Sequence, residues 1–463
     1  MKIKLPDFVL EIVKKFEKAG FEIYIVGGAV RDILTNRVVY DWDFTTNATP
    51  EEILKLLPEA FYDNKFGTVG ITHPDFERPF EITTYRTEYG YSDARRPDKV
   101  VWGENLEEDL ARRDFTINAM ALRVAETKKL KNEKTEIQTE VELIDPYEGQ
   151  KDLDQRLIRA VGNPNERFSE DGLRMMRAVR IAAELGFLIE EATFDAIKKN
   201  AVLINRIAKE RVKEELFKIL MSPHPYDGIV MLRNSGLMEQ ILPELEKCFG
   251  VEQKSPQRHH IYDVGIHLLM SLKFCKSEDP VTRFATLIHD IGKPQTYKKL
   301  ASGVITFYNH EVVGAKIAKN IADRLRFSKK EKDKLYILVR YHQFTVTEEQ
   351  TDSAIRRFIR NVGVKNIKDM LDLRIADRLG GGARETSWRL EEFKKRLIEV
   401  QKQPFSIKDL KIDGNDVMKV LRLRSGPRVG EILNKLFEEV VEKKIDNERK
   451  TLLKRLEEIN EKN

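Results

Sequence analysis

Cysteine is nearly absent: Cys248 and Cys275 are the only two in 463 residues, which rules out a disulfide framework. Long apolar runs are missing as well, and without about 18 consecutive apolar residues no helix is expected to cross a bilayer. The opening stretch MKIKLPDFVLEIVKKF lacks the apolar core of a secretory signal, so a cytoplasmic protein with no membrane partner is expected. Net charge is small too. Lys and Arg number 81 against 76 Asp and Glu, a balance of +5, so any nucleic-acid surface must be a local basic stripe set against acidic regions elsewhere. Charge of both signs is abundant, at 34% of residues beside 41% hydrophobic ones. With a mean hydropathy of −0.46, this fits about three globular domains with heavily charged surfaces.

One local pattern carries chemistry. In VVYDWDFTT, Asp41 and Asp43 are separated by a single residue, and on a β-strand such residues point to the same face. Two carboxylates side by side need a cation. They suit Mg²⁺, which is usually held by one or two protein carboxylates plus substrate phosphates, and two such ions stabilise both oxygens of an in-line displacement. Upstream, FEIYIV reads as a buried strand, Gly27 and Gly28 as a turn and AVRDIL as a helix start, offering bare backbone N–H groups to a triphosphate. Arg31 adds a guanidinium fork for phosphate oxygens. A Gly-Gly turn by itself is most often only a turn, and a lone Asp-x-Asp is more often a solvated edge. The order strand, turn, helix, turn at Thr35 to Arg37 and strand, within fifty residues, selects the chemical reading.

Five segments in order, GGAVRD, DWDFTT, RRDFTINAM, RFSEDGLRMMRAVRIAAELGF and ERVKEELFKIL, resemble the class II tRNA nucleotidyltransferases, the CCA-adding enzymes, and the related bacterial poly(A) polymerases. The resemblance is dense over residues 20–220 and continues more weakly in FSIKDLKIDGNDVMKVLRLRSGPRVGEIL. Asn36 stands where family members often carry Gly, but Asn also tolerates the left-handed conformation. The implied fold is α+β: a small N-terminal nucleotidyltransferase (polymerase β-like) mixed sheet with helices, followed by all-helical neck, body and tail domains. The corresponding segments are a catalytic head at 1–150, a base-recognising neck at 151–220, a body with an HD domain at 221–385 and a tRNA-binding tail at 386–463.

Within the head, TPEEILKLLP reads as a helix capped by Thr49 with Pro50 at its first position, and FGTVGITHP and PFEITTYR as strands. Glu81, Thr83 and Tyr85 share one strand face. Glu81 is therefore a candidate third carboxylate, against the plainer reading of an exposed strand Glu. The stretch TEYGYSDARRPDKVVWGEN has no helical or strand period and reads as a mobile loop. In the resembled family a loop here helps the change from C to A addition, and Arg95 and Arg96 are its candidates for contacting phosphate or primer. ARRDFTINAMAL reads as a helix with Asp114 and Asn118 on one face. Its Arg112, Arg113, Asp114 and Asn118 resemble the family's motif for ribose and triphosphate. ETKKLKNEKTEIQTE reads as a surface hairpin or excursion.

RFSEDGLRMMRAVRIAAELGF reads as one helix capped by Ser169, with an Asp171–Arg174 pair at i,i+3. In the resembled family the motif met here as Glu170, Asp171 and Arg174 turns its Asp and Arg to the Watson–Crick edge of the incoming base. C and A both present an amine donor next to a ring acceptor, and each such pairing contributes on the order of 1 to 3 kcal/mol of discrimination. Arg177 and Arg180 continue the basic stripe toward the triphosphate or the tRNA end, or form a solvated face. Glu210 and Arg211 resemble the segment that braces this helix.

Beyond residue 221 the periodicity is helical, and of eight histidines six fall between His259 and His342. TRFATLIHDIGK and DLRIADRLGGG place His267, His289, Asp290 and Asp377 in the H…HD…D order of HD-domain phosphohydrolases, with His310 and His342 as extra ligands. Such donors suit a divalent transition metal or Mg²⁺ that activates water and polarises a phosphoryl oxygen, whereas a single helical His is more often a core residue. The implied activity is untemplated addition of CCA to the 3′ end of tRNA from CTP and ATP, with Asp41, Asp43 and Glu81 at the chemistry and pyrophosphate leaving. Three other readings stay open: addition of A alone or poly(A) tailing, an HD phosphohydrolase with a nucleotide-sensing head, and a non-catalytic tRNA-binding protein.

Overall fold

A computed structural model describes residues 1–461 apart from 63–67, 75, 77–78, 90–98, 103–104, 130–136, 254–261, 345–350, 402–406 and 443. The chain forms two units, Met1–Glu246 with Arg324–Arg326, and Lys247–Asp323 with Phe327–Asn463. An α+β first unit and a helical second unit agree with the fold class expected from the sequence. Among the described residues, no helix is long and apolar enough to cross a membrane.

As far as Ile144, the strands of the first unit are β1 (Lys2–Ile3), β2 (Ile23–Val26), β3 (Asp43–Thr46), β4 (Phe61–Tyr62), β5 (Thr68–Ile71), β6 (Phe80–Thr84), β7 (Arg86–Tyr89), β8 (Lys99–Trp102), β9 (Ala121–Lys129) and β10 (Ile137–Ile144). All but β7 and β8 join one mixed sheet in the order β1-β10-β9-β2-β3-β6-β5-β4. Among the described residues its one parallel pairing is β3 with β6. Strand β2 is buried along its whole length, as its continuous apolar run requires. The helices between strands are α1 (Asp7–Lys18), α2 (Gly28–Leu34), α3 (Pro50–Leu56), α4 (Leu106–Ala111) and α5 (Gly149–Gln155). Helix α3 starts in a capping box in which the Thr49 side chain and Glu52 satisfy each other's backbone N–H groups. Asn36 adopts φ 52°, the left-handed turn anticipated for it.

Four sequence expectations change here. Asp41 lies just ahead of β3 and not on it. The stretch after Arg86 is not all loop, because β7 and β8 pair as an antiparallel hairpin. ARRDFTINAMAL is not a helix: α4 ends at Ala111, and a single 3₁₀ turn at Thr116–Asn118 leads into β9. Tertiary pairing wins there, with Phe115 bridging to Ala160 and Thr116 N–H donating to Arg159 O at 2.9 Å. Finally, RFSEDGLRMMRAVRIAAELGF is two helices, α6 (Pro164–Glu170) and α7 (Leu173–Leu185), broken at Asp171 and Gly172. Ser169 sits inside α6 and donates to Asn165 O at 2.8 Å. The Asp171 carboxylate accepts from Leu173 N–H at 2.9 Å and so starts α7 in its place.

Helices α8 (Glu191–Asn200), α9 (Lys209–Met221), α10 (Pro225–Asn234), α11 (Leu237–Ile241) and α12 (Pro243–Glu246) complete the first unit. Helix α7 is its axis. It buries Leu173, Met175, Met176, Ala178, Val179, Ile181, Ala182 and Ala183, leaving Arg174, Arg177 and Arg180 as a stripe at every third residue. The second unit comprises α13 (Val264–Phe274), α14 (Pro280–Ile288), α15 (Lys293–Thr296), α16 (His310–Arg324), α17 (Lys329–Tyr341), α18 (Asp352–Val362), α19 (Ile367–Gly380) and α20 (Trp388–Gln401), followed by α21 (Gly414–Leu421), α22 (Pro427–Val441) and α23 (Arg449–Glu461). The last three share their own core, with Val417, Leu436, Leu452 and Leu456 fully buried.

Candidate active site

Gly27 fixes the start of the site. Its φ is 71°, and a Cβ there would meet Arg113 Nη1 at 3.0 Å and Asp43 Oδ2 at 3.3 Å, so a bare backbone is what lets the turn lie against both side chains. Asp43 opens β3, and its register partner on β6 is Glu81. Register partners on neighbouring strands project to the same face, which joins Glu81 to Asp43. Asp41 and Glu81 are exposed while Asp43 is half-buried. Burial pushes the Asp43 carboxyl above its ordinary value, and the charge of Asp41 adds to this, against the opposing pull of Arg113 and Arg177. A cation at these oxygens favours the ionised form, and hard carboxylate donors of this kind suit Mg²⁺. The acids therefore fit a divalent metal.

From the second glycine a line of polar contacts runs to α7. A Cβ on Gly28 would lie 3.5 Å from Arg31 Nη2. Arg31 Nη1 donates to Asn118 Oδ1 at 3.0 Å, and Asn118 Nδ2 donates to Asp114 Oδ1 at 3.2 Å. Arg177 closes on Asp114 Oδ2 with Nε at 2.7 Å and Nη2 at 2.6 Å. Burial works against the charge on Asp114, but Arg177, Arg174 and the Asn118 hydrogen bond outweigh it and bring its pKa to about 2. Asp114 and Asn118 are thus brought into contact, through a tight turn and not along the expected helix face.

The expected Asp171–Arg174 pair is replaced by two others. Arg174 pairs with Glu170 and donates through Nη2 to Arg112 O at 3.3 Å. Asp171, extended where the helix breaks, accepts from Arg211 Nη2 at 3.0 Å. Arg180 stands apart from this line, held by Glu215 at 2.8 Å and Glu184 at 3.2 Å. Arg95 and Arg96 lie outside the described residues. Two residues the sequence reading passed over support the site. Arg167 donates to Ala111 O at 2.6 Å and Val161 O at 3.1 Å. The fully buried Asp109 holds Arg112 at 2.6 Å and Arg113 at 3.1 Å. The i+3 and i+4 spacing of Asp109 to the arginine pair was the available signal.

A second cluster occupies the second unit. His267 on α13, His289 and Asp290 at the end of α14, His310 opening α16, His342 closing α17 and Asp377 on α19 line one cavity of about 420 Å³. His289, His310 and His342 each place Nδ1 2.8 Å from the carbonyl three residues earlier. That contact makes Nδ1 the donor and leaves Nε2 available as a ligand. His267 Nε2 lies 3.1 Å from Asp377 Oδ1 and 3.6 Å from Asp290 Oδ2, while His289 Nε2 is 3.3 Å from Asp290 Oδ2. The other oxygen, Asp290 Oδ1, faces His310 Nε2 at 3.2 Å and His342 Nε2 at 3.5 Å. The donors so form two groups that share Asp290. Despite burial, Lys293, 2.6 Å away, and His289 hold the Asp290 carboxyl well below its usual range. Against the effect of burial, Asp290 and Asp377 push His289 up to about 10. Its proton holds the place that a divalent cation takes from an imidazole ligand, and the mixed nitrogen and oxygen donors fit such a cation.

Residues 23–159 match the Poly A polymerase head domain, 186–249 the RNA and SrmB-binding site of polymerase A, and 305–456 tRNA nucleotidyltransferase domain 2. The CCA-adding enzyme of Limosilactobacillus reuteri is 44% identical over 257 residues, which are 54% of this chain and 58% of that protein. The match thus spans little more than half the length of that relative. The CCA-adding enzyme of Ligilactobacillus salivarius is 34% identical over 451 residues, covering 96% of this chain and 94% of the relative. Among solved structures, the Bacillus stearothermophilus CCA-adding enzyme in complex with CTP superposes with a TM-score of 0.71 at 26% identity, over 99% of this chain and 98% of the other. The Thermotoga maritima CCA-adding enzyme complexed with tRNA, at 18% identity and a TM-score of 0.53, shares the fold.

The Asp114–Arg177 pair gives a pH test. The folded carboxyl sits at about 2 against about 3.9 in an unfolded chain, so its stabilisation, about 2 to 3 kcal/mol, is complete above pH 4 and fades as pH falls toward 2. Urea unfolding at stepped pH should show the parent losing that much more stability than Asp114→Asn between pH 5 and 2. Equal acid slopes in the two proteins would remove the pair from the account.

Proposed function

The chain belongs to the CCA-adding enzymes, and from that premise we propose that it adds C, C and A to the 3′ end of tRNA from CTP and ATP, untemplated by nucleic acid, with release of pyrophosphate. The observation that carries the proposal is the parallel register of Asp43 with Glu81 beside Gly27 and Arg113, next to the line of polar contacts Arg31–Asn118–Asp114–Arg177. In this reading the tRNA 3′-hydroxyl attacks the α-phosphorus of the bound nucleotide. Arg31, Arg113 and the N–H groups of the Gly27–Gly28 turn orient the triphosphate, and Asn118 with Asp114 receives the ribose. Asp171 accepts from the exocyclic amine of C or A while Arg174 donates to the neighbouring ring acceptor. Arg211 and Glu170 hold those two side chains at fixed separation. Divalent-metal dependence goes with the family. When bound, Mg²⁺ on Asp41 and Asp43, with Glu81 as third acid, would neutralise charge on the attacking and leaving oxygens. The rest is positioning.

The long-range match to a protein named CCA-adding enzyme, and the CTP complex of a 26% identical relative, favour complete addition over A-only addition or poly(A) tailing. In this reading 1–150 is the catalytic head, 151–220 the base-recognising neck, 221–385 the body and 386–463 the tail that holds the tRNA, in a cytoplasmic protein.

A second reading concerns the histidine cluster. Three imidazoles oriented by backbone carbonyls around a shared carboxylate favour a metal-dependent phosphohydrolase, as the HD resemblance implies. His267, His289, Asp290 and Asp377 would hold one cation, and Asp290, His310 and His342 a second. Such a cation, when bound, supplies an activated water and polarises the phosphoryl oxygen. Lys293 is placed to hold Asp290 ionised.

Asp43→Ala should abolish CMP and AMP incorporation while leaving tRNA affinity, measured by filter binding, within about twofold of the parent; incorporation near the parent rate would sink the assignment. Asp290→Ala should abolish metal-stimulated phosphate release yet leave nucleotide addition intact. Phosphate release unchanged in that variant would place the hydrolysis elsewhere.

A further inference from the structure

Asp109 lies inside α4 with its side chain fully buried, and a carboxylate removed from water needs compensating charge. Two arginines supply it. Arg112 donates to Oδ1 through Nε at 3.1 Å and Nη2 at 2.6 Å, and Arg113 donates to Oδ2 through Nη2 at 3.1 Å. Burial opposes the charge on Asp109, but Arg112 and Arg113 outweigh it and hold the carboxyl below its usual range.

The Arg113 guanidinium also reaches the start of β3. Its Nη1 and Asp43 Oδ2 lie 3.0 and 3.3 Å from the place where a Cβ on Gly27 would stand. Yet among the described residues Arg113 makes its ion pair with Asp109 and none with Asp43. Arg177, the other guanidinium whose charge acts on Asp43, is likewise taken up by a different acid, Asp114. A guanidinium released this close to Asp43 would pair with it, and a carboxylate engaged by an Arg fork loses the oxygens that a hard cation requires. We propose that Asp109 is a positioning residue that holds Arg113 off Asp43, so that the Asp43 oxygens stay open to a divalent cation while Arg113 stays turned to the glycine turn, where the triphosphate is received. The inference rests on the reading of Asp41 and Asp43 as the carboxylates that hold Mg²⁺.

The test is Mn²⁺ binding to the full chain without nucleotide, followed by electron paramagnetic resonance of the free ion, in an Asp290→Ala background that removes the shared carboxylate of the histidine cluster. Binding lost on Asp43→Ala defines the head site. Asp109→Asn should weaken that binding by about tenfold, the competition expected of one partly buried ion pair, and Asp109→Glu should recover most of the loss. Asp109→Asn/Arg113→Gln should return close to the parent affinity, because the competing cation is gone. In step with this, Asp109→Asn should need correspondingly more Mg²⁺ for half-maximal CMP incorporation and regain rate as Mg²⁺ is raised, which a collapsed site would not do. Where Asp109→Asn does not fold, Asp109→Asn/Arg112→Gln, which removes one charge of each sign, carries the same prediction. Parent affinity for Mn²⁺ in folded Asp109→Asn, or an Asp109→Asn/Arg113→Gln protein as weak as the single variant, would overturn the proposal and leave the metal reading standing. If Asp43→Ala removes no bound Mn²⁺, the metal reading falls and the proposal falls with it.

Discussion

The ion pair between the buried Asp114 and the half-exposed Arg177 is the constraint on which the candidate nucleotidyl-transfer site depends. Asp114 is 8% exposed, and a carboxylate so enclosed is tolerated only when its partners are in place, because removing one leaves an uncompensated charge. Those partners come from two directions. Asn118 ties it to Arg31 and the glycine turn, and Arg177 ties it to α7. Side chains proposed for the triphosphate and ribose are thereby fixed relative to the helix that carries Arg174. Coupled hydrogen bonds of this kind stiffen one another, which a site built on positioning requires.

Much of this was legible in the sequence where the physics is local. The glycine turn, the left-handed Asn36 and the Thr49 cap all follow from backbone preferences within a few residues. The choice of partners was not legible. Asp171 was paired with Arg174 because i,i+3 neighbours on a helix meet, but the helix breaks at Asp171, and the carboxylate reaches Arg211, forty residues on. Arg174 then takes Glu170. The turn at Thr116–Asn118 was misread as helix because its pairing partners, Arg159 and Ala160, belong to another segment. In each case a long-range contact overrode a local pattern.

The histidine cluster shows the converse. Its residue types and order were visible in the sequence, and so was the option of His310 and His342 as further candidate ligands. The division of labour within Asp290 was not. One oxygen faces His267 and His289 and the other faces His310 and His342, a consequence of three helix ends converging on one side chain. The same backbone device, a carbonyl three residues back, orients three of the four imidazoles, so ring orientation is written into the helix termini.

The central claim is that this chain builds the CCA end by protein-directed choice of nucleotide. It is tested most directly by incubating the protein with tRNA lacking CCA, tRNA ending in CC and an unrelated RNA, supplying CTP and ATP separately and together, and sequencing the products. The account predicts CC addition with CTP alone on the first substrate, a single A with ATP alone on the second, CCA with both nucleotides on the first, and no extension of the unrelated RNA. Runs of A on any of the three, or extension of only the CC-ended tRNA, would contradict it.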